Sequence, residues 1–314
     1  MSDSVRSGQE RVSFSYVIPV HNEASDVEEA IRAAEASARS YAPCEIVAVD
    51  DASTDGTREI LRRYAAEGRI SLAEQPVKKG AAAARNAGMA VATGDVVVFM
   101  DADNVVPPDF LERLRDHYLH GADFVTVGSR VVNQDRLVGR FQQASHQSSY
   151  DGLRNVTYSQ SFSCRREIAL AVGFNEPLSG SADGDFFRRL SLDECCWRRD
   201  PEIVVGHRMP DTLAGFCRQY AWRGESTVVH RRVICGTSLW LLTLRQIAVA
   251  VYWLGAVATV VPAVVAGRSR IRYSERGARD LPGFAGLWAL QAVVCRMGEW
   301  RGLAGLWRQK VSIR

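Results

Sequence analysis

The seven cysteines contain no C-x-x-C pair, and only Cys195 and Cys196 are neighbours. This excludes a zinc ribbon and a disulfide framework and points to ordinary core thiols in a reducing compartment. The opening stretch, MSDSVRSGQERVSFS, has no apolar run, so no secretory signal peptide is expected. Internal repeats and low-complexity blocks are missing as well. Charge of one sign is scarce: 39 Lys and Arg against 36 Asp and Glu leave a net +3, too little by itself to indicate nucleic acid, and no nucleic-acid partner is expected. No G-x-G-x-x-G follows the first apolar run and no G-x-x-x-x-G-K-S/T occurs anywhere, which excludes a dinucleotide fingerprint and a P-loop.

What is present is an alternation. A chain of 314 residues fits one large or two modest domains and can bury a substantial core. FSYVIPV (14–20) reads as a strand, followed by a helix over 27–40 behind Ser25-Asp26. Residues 44–49 form a second strand, and a helix from the turn at 52–57 runs to Ala66. A short third strand at 69–73, an Ala-rich helix at 80–92, a fully apolar fourth strand at 96–100 and a helix at 108–120 complete the pattern. Alternating strands and helices of these lengths predict βαβ units and a mostly parallel sheet.

In open α/β sheets ligands bind beyond the carboxyl ends of the strands. Three strand ends here are polar: PVHNE with His21, DDASTDGT with Asp50 and Asp51, and DADN with Asp101, Ala102 and Asp103. The Asp-rich second loop repels a pyrophosphate and suits a base or ribose instead. Two carboxylates one residue apart at the end of a buried strand suit a hard divalent cation that shares substrate phosphates, Mg²⁺ or Mn²⁺. A solvated turn or helix cap is the competing reading of Asp101 and Asp103. Arg85, on the helix after Lys78-Lys79-Gly80, can point at the same rim or sit in a surface ion pair. Lys79 is read equally well as a rim residue or as part of a solvated face.

SYVIPVHNEA, VAVDDASTDGT, KKGAAAARNAGMAVATGD and VVFMDADN, in this order and spacing, resemble the nucleotide-binding half of a family 2 glycosyltransferase of GT-A fold. The resemblance is dense over 13–110 and looser to about 225. It implies an α/β, Rossmann-like sheet flanked by helices. It also implies inverting transfer from a nucleotide-diphospho-sugar, with Mg²⁺ or Mn²⁺ on the diphosphate. Pro19, Asn22, Glu23, Asp51 and Arg85 would then lie around the nucleotide, and Asp103 with Asp101 would hold the metal. Ser179–Leu190 resembles the family's catalytic loop, with Ala182 where the family usually has Glu, and Asp183 matches the general base. Helix capping is the other reading of Asp183 and Asp185. His207, at the end of a strand at 203–207, resembles the position that completes the metal site in many GT-A enzymes; a structural His is the alternative.

Residues 111–230 are expected to form the acceptor half, with a strand at 122–127, a long polar connection at 129–157 and a strand-plus-helix segment from 159. A helix at 211–228 offers Arg218 and Arg223 to the diphosphate. It lacks the Q-x-x-R-W of processive family members, which favours single additions. Residues 231–314, beyond the 13–230 catalytic domain and the loose 1–12 tail, carry an uncharged run at 246–267. That run is long enough for a bilayer, which needs about 20 apolar residues, but its flanks are basic on both sides. Helices lying in the inner face of the membrane through 238–307 are therefore expected, with Trp240, Trp253, Trp288, Trp300 and Trp307 at the interface. A soluble helical subdomain or dimer interface is the alternative. A saccharide or lipid-linked acceptor in cell-envelope polysaccharide or glycolipid synthesis would suit such attachment, for a cytoplasmic protein at the membrane. Two other function classes fit the same sheet: a catalytically silent nucleotide-sugar-binding protein, and a nucleotidyltransferase.

Overall fold

The structure, a computed structural model, describes residues 11–41, 43–152, 161–178, 180–190, 195–256 and 260–312. Residues 1–10 of the expected tail and the side chain of Trp253 lie outside the described residues. The chain runs β1 (Phe14–Val20), α1 (Val27–Ser40), β2 (Cys44–Asp50), α2 (Thr57–Ala66), β3 (Ser71–Glu74), α3 (Ala81–Val91) and β4 (Val96–Met100). It continues through β5 (Asn104–Val105), α4 (Phe110–Leu119), β6 (Phe124–Val131), α5 (Leu137–Gly152), β7 (Ser161–Arg165), α6 (Arg166–Val172), α7 (Ala182–Arg189) and β8 (Trp197–His207). Four helices follow: α8 (Leu213–Val233), α9 (Leu239–Ala256), α10 (Val260–Ile271) and, after a 3-10 turn, α11 (Leu281–Ser312). All seven cysteines are free thiols.

Among the described residues eight strands make one sheet in the order β3-β2-β1-β4-β7-β6-β8-β5. The first four are parallel neighbours; β7 runs antiparallel to β4 and to β6, and β5 antiparallel to β8. The order therefore reverses at β1, between β2 and β4. Such a switch point opens a crevice at the strand ends where ligands bind. The apolar alternation explains the layers. Phe14, Tyr16, Ile18 and Val20 face α1, α2 and α4 in a continuous core, where the buried Tyr16 hydroxyl is paired with Ser37 Oγ at 2.6 Å.

Helix α3 lies against β1 and β2, and its Ala-rich sequence is what lets it lie close. A Cβ on Gly88 would collide with Val17 Cγ1 and reach 3.2 Å from Val49 Cγ2. Gly88→Ala should therefore destabilise the fold by about 1–3 kcal/mol through overpacking, read as a lower urea midpoint with an unchanged m-value. An unchanged midpoint would contradict this packing.

The chain divides into two compact units: residues 1–129, 157–176 and 186–207, and residues 130–156, 177–185 and 208–314. In the second unit α8 and α11 approach backbone to backbone, because a Cβ on Gly224 would strike the Cys295 carbonyl and one on Gly298 the Ala221 carbonyl. The polar connection expected at 129–157 is in part a helix, α5. Its buried polar residues are paired: Arg140 Nε donates to Asp280 Oδ2 at 2.8 Å, and Gln142 Nε2 to Gln219 Oε1 at 2.8 Å. Among the described residues no helix is long and apolar enough to cross a membrane.

Candidate active site

The three loops at the switch point are stitched together before any ligand is considered. Asn22 follows β1 in a left-handed turn at φ 57°, a conformation Asn tolerates better than most residues. The turn lets its amide donate to Ser53 Oγ at 3.0 Å while its side-chain oxygen accepts from the Thr54 amide at 2.8 Å. Ala52, after β2, also has positive φ (56°), an unfavourable backbone for Ala that the surrounding bonds hold in place. His21 Nδ1 lies 2.7 Å from the Asp51 carbonyl, which fits a donating Nδ1–H, and the Asn22 amide group stands 3.3 Å from Nε2.

The two Asp residues expected to meet a base or ribose both have structural partners. Asp50 is fully buried; its carboxylate accepts from the Ser53 amide at 3.1 Å and from Arg58 Nε at 2.8 Å. Asp51 is buried too, and its two oxygens accept from the Lys79 and Gly80 amides at 2.6 and 2.8 Å. Asp51 thus anchors the Lys-Lys-Gly loop to the rim, and it is the Lys79 backbone, not its ammonium group, that the rim holds. Pro19 is half-buried in β1 and Ala102 buried after β4.

Arg85 is buried on α3. Its Nη2 donates to Asp101 Oδ1 at 2.6 Å, and its guanidinium sits 5.4 Å from the centre of the Phe174 ring. Next to it, Asn86 clasps the loop that carries that ring: Nδ2 donates to the Phe174 carbonyl at 3.0 Å and Oδ1 accepts from the Phe174 amide at 2.8 Å. Asn86 and Phe174 were not singled out by sequence reasoning. The one available signal was that Asn86 lies inside KKGAAAARNAGM beside Arg85.

Asp103 meets His207. The two-residue strand β5 pairs with the end of β8 in the register Asn104↔His207, which brings His207 Nε2 to 3.1 Å from Asp103 Oδ2. His207 is buried, and the other carboxylate oxygen, Asp103 Oδ1, is buried with no hydrogen-bond partner among the described residues. An orphaned buried carboxylate oxygen beside an imidazole is the donor set a divalent cation takes up. Among the described residues no three His, Cys, Asp or Glu side chains form a metal cage by themselves, so such an ion would draw its remaining ligands from substrate and water. Asp101, after the same strand, is paired with Arg85.

Glu23 completes the rim, with its amide donating to Thr57 Oγ1 at 2.8 Å. Burial pushes its carboxyl up to about 8, and the charges of Asp103, Asp26, Asp101 and Asp55 add to the effect. A folded pKa above the unfolded one means that the stability tied to the neutral form is complete below about pH 4.3 and is lost as pH rises through about 8. Glu23→Gln should therefore unfold at the wild-type temperature near pH 4 and at a higher temperature near pH 9, in scans without nucleotide or metal. Parallel loss of stability in both proteins would show that Glu23 does not titrate there.

The remaining expected residues belong to the second unit. Asp183 sits half-buried in the first turn of α7. Arg218 and Arg223 lie on α8, with the Arg223 guanidinium 5.1 Å from the Tyr220 ring centre.

The sequence profile described as "Glycosyl transferase family 2" matches residues 15–176, more than half of the chain. The chain belongs to glycosyl transferase family 2. This family 2 glycosyltransferase is 30% identical over 322 residues to the pre-mycofactocin glycosyltransferase of Mycobacterium tuberculosis, a match that covers 92% of this chain and 66% of that protein. The fold matches that of a mannosyltransferase from Pyrobaculum calidifontis solved with GDP-Man and Mn²⁺, with a TM-score of 0.60, 21% identity, and coverage of 91% of this chain and 87% of that one. It also matches glucosyl-3-phosphoglycerate synthase from Mycobacterium tuberculosis solved with Mn²⁺, UDP and glucosyl-3-phosphoglycerate, with a TM-score of 0.50, 23% identity, and coverage of 70% and 79%. The GT-A fold expected from the sequence is thus the fold observed.

Proposed function

We propose that this glycosyltransferase moves a sugar from a nucleotide-diphospho-sugar to an acceptor hydroxyl with inversion, in glycoconjugate synthesis, assisted by Mn²⁺ or Mg²⁺. The observation that carries the reading is the Asp103–His207 pair at the switch point, with a buried carboxylate oxygen lacking a partner. Asp103 and His207 would hold the ion, which supplies Lewis-acid stabilisation of charge on the departing diphosphate. The Asp101-paired Arg85 adds a fixed guanidinium at the same rim, aimed where negative charge develops. The loops after β1 and β2 shape the pocket for base and ribose. Asp183 would accept the proton of the acceptor hydroxyl as that oxygen attacks the anomeric carbon.

Support from relatives is of two kinds. The curated relative is a glycosyltransferase of which this chain spans 66%, and the two structural neighbours were solved with GDP-Man or UDP and with Mn²⁺. GDP and UDP are therefore the first nucleotides to test. Ligands that bind only the folded state raise its stability by mass action. Thermal unfolding with a panel of nucleoside diphosphates, with and without Mn²⁺, should show a metal-dependent rise for one base. A folded preparation that responds to none would remove the donor-site reading.

A further inference from the structure

The small net charge conceals a division. Residues 231–314 carry thirteen Lys or Arg against three Asp or Glu, which leaves 26 against 33 for the other 230 residues. The basic part is the helical part, α9 to α11, and its surface is inverted relative to an ordinary soluble helix.

On α9 the buried stripe is Leu239, Leu242 and Gln246, while the opposite stripe is large and apolar: Trp240 is 67% exposed, Leu241 58%, Leu244 60% and Ile247 48%. These four recur at helical spacing and share one face. The polar contacts point inward. Glu299, buried on α11, accepts from Gln246 Nε2 at 2.5 Å, Arg296 Nη1 at 2.6 Å and Arg245 Nη1 at 3.3 Å. Arg231, at the end of α8, belongs to the same cluster: burial lowers its pKa, and the Arg245 and Arg296 charges lower it further. One carboxylate thus serves several guanidinium groups. A helix with charge inside and Trp, Leu and Ile outside has its apolar face turned toward something other than water.

Trp240 packs edge-on against Trp307 at 5.1 Å, and Trp307 Nε1 donates to Thr243 Oγ1 at 3.2 Å. Rings with one wet and one apolar side suit a headgroup boundary. A second copy of the chain is a poor occupant, since two such surfaces would set the exposed Arg residues of one copy, Arg301 and Arg308 among them, against those of the other. Nucleic acid matches the charge but has no use for an apolar stripe.

We propose that α9 docks the chain on a bilayer containing anionic lipid, with Trp240, Leu241, Leu244 and Ile247 entering the headgroup–acyl boundary while exposed basic residues such as Arg301 and Arg308 on α11 are held by lipid phosphates. This surface is independent of the donor site, so Asp103→Ala should bind vesicles as the wild type does.

The test is flotation of the full chain with vesicles of phosphatidylcholine alone, and of phosphatidylcholine with phosphatidylglycerol as about a third of the lipid. Binding is expected to the second and not the first, and to weaken as salt is raised. The double change Trp240→Gln, Leu244→Gln should weaken it by tenfold or more, since each side chain withdraws an apolar group from the boundary. A measurement free of any variant stands beside it: brominated lipid in the anionic vesicles should quench the wild-type tryptophan fluorescence. The proposal is overturned by absence of flotation or of quenching. It is overturned equally by a concentration-dependent dimer that the double change abolishes, or by duplex DNA displacing the vesicles while the double change leaves DNA binding intact.

Discussion

Asp103→Ala is expected to reduce kcat/KM about a thousandfold or more, followed as release of the nucleoside diphosphate from its sugar donor. The reason is local. One oxygen of this carboxylate faces His207 at 3.1 Å and the other is buried with no hydrogen-bond partner among the described residues. On the proposed reading, removing the side chain would leave His207 without its carboxylate partner to hold the ion, where charge on the departing diphosphate has to be met. Loss of electrostatic stabilisation of this kind is worth about 4 kcal/mol, or three orders of magnitude in rate. Folding should be little affected, because the mutation relieves an unsatisfied buried oxygen at the rim and leaves the β1–β4 core intact. The metal-dependent part of the nucleotide-induced thermal shift should vanish with the activity. A variant that keeps both would show that the ion, if used, is held elsewhere.

Asp183→Asn should separate chemistry from binding. General-base catalysis contributes about 10²–10⁴ in rate, so turnover should fall by that factor. The nucleotide-induced thermal shift should stay at its wild-type size, because the donor rim is built from the other compact unit. If Asp183 serves only the first turn of α7, the outcome differs in kind: about 0.3–1 kcal/mol of stability is lost and the rate is retained. A full-rate variant would move the general base to another residue, whereas the silent-binding-protein reading requires a wild type that binds nucleotide and shows no turnover.

The parallel half of the sheet was legible because its residues obey one period at a time. β4 is an unbroken apolar run, β1 is apolar but for Ser15, and α1 buries Val27, Ala30, Ile31 and Ala34 at helical spacing. Helix α5 was missed for the opposite reason. Arg140, Gln142 and His146 are buried there among Val138, Phe141 and Ala144, and an inward face broken by polar residues looks like a loop until Asp280, Gln219 and Tyr220 are seen beside it. Strand β5 is two residues long, below what any pattern can register. Its consequence, the meeting of Asp103 with a His 104 positions away, depends on the antiparallel register of β8 and leaves no local trace. Asn86 was hidden by a different limit. Its side chain caps no helix and lines no core; it holds backbone 88 positions downstream, in place under Arg85.

The short ladder between β5 and β8 has one further consequence. β5 is the outermost strand of the sheet, and two residues of pairing are a weak hold on an edge. An occupant that grips Asp103 and His207 together spans that ladder from the side-chain end and fastens it. Donor occupancy and edge order then form a single equilibrium, so slowed hydrogen exchange at Asn104, Val105 and Gly206 would report a loaded site before any sugar has moved.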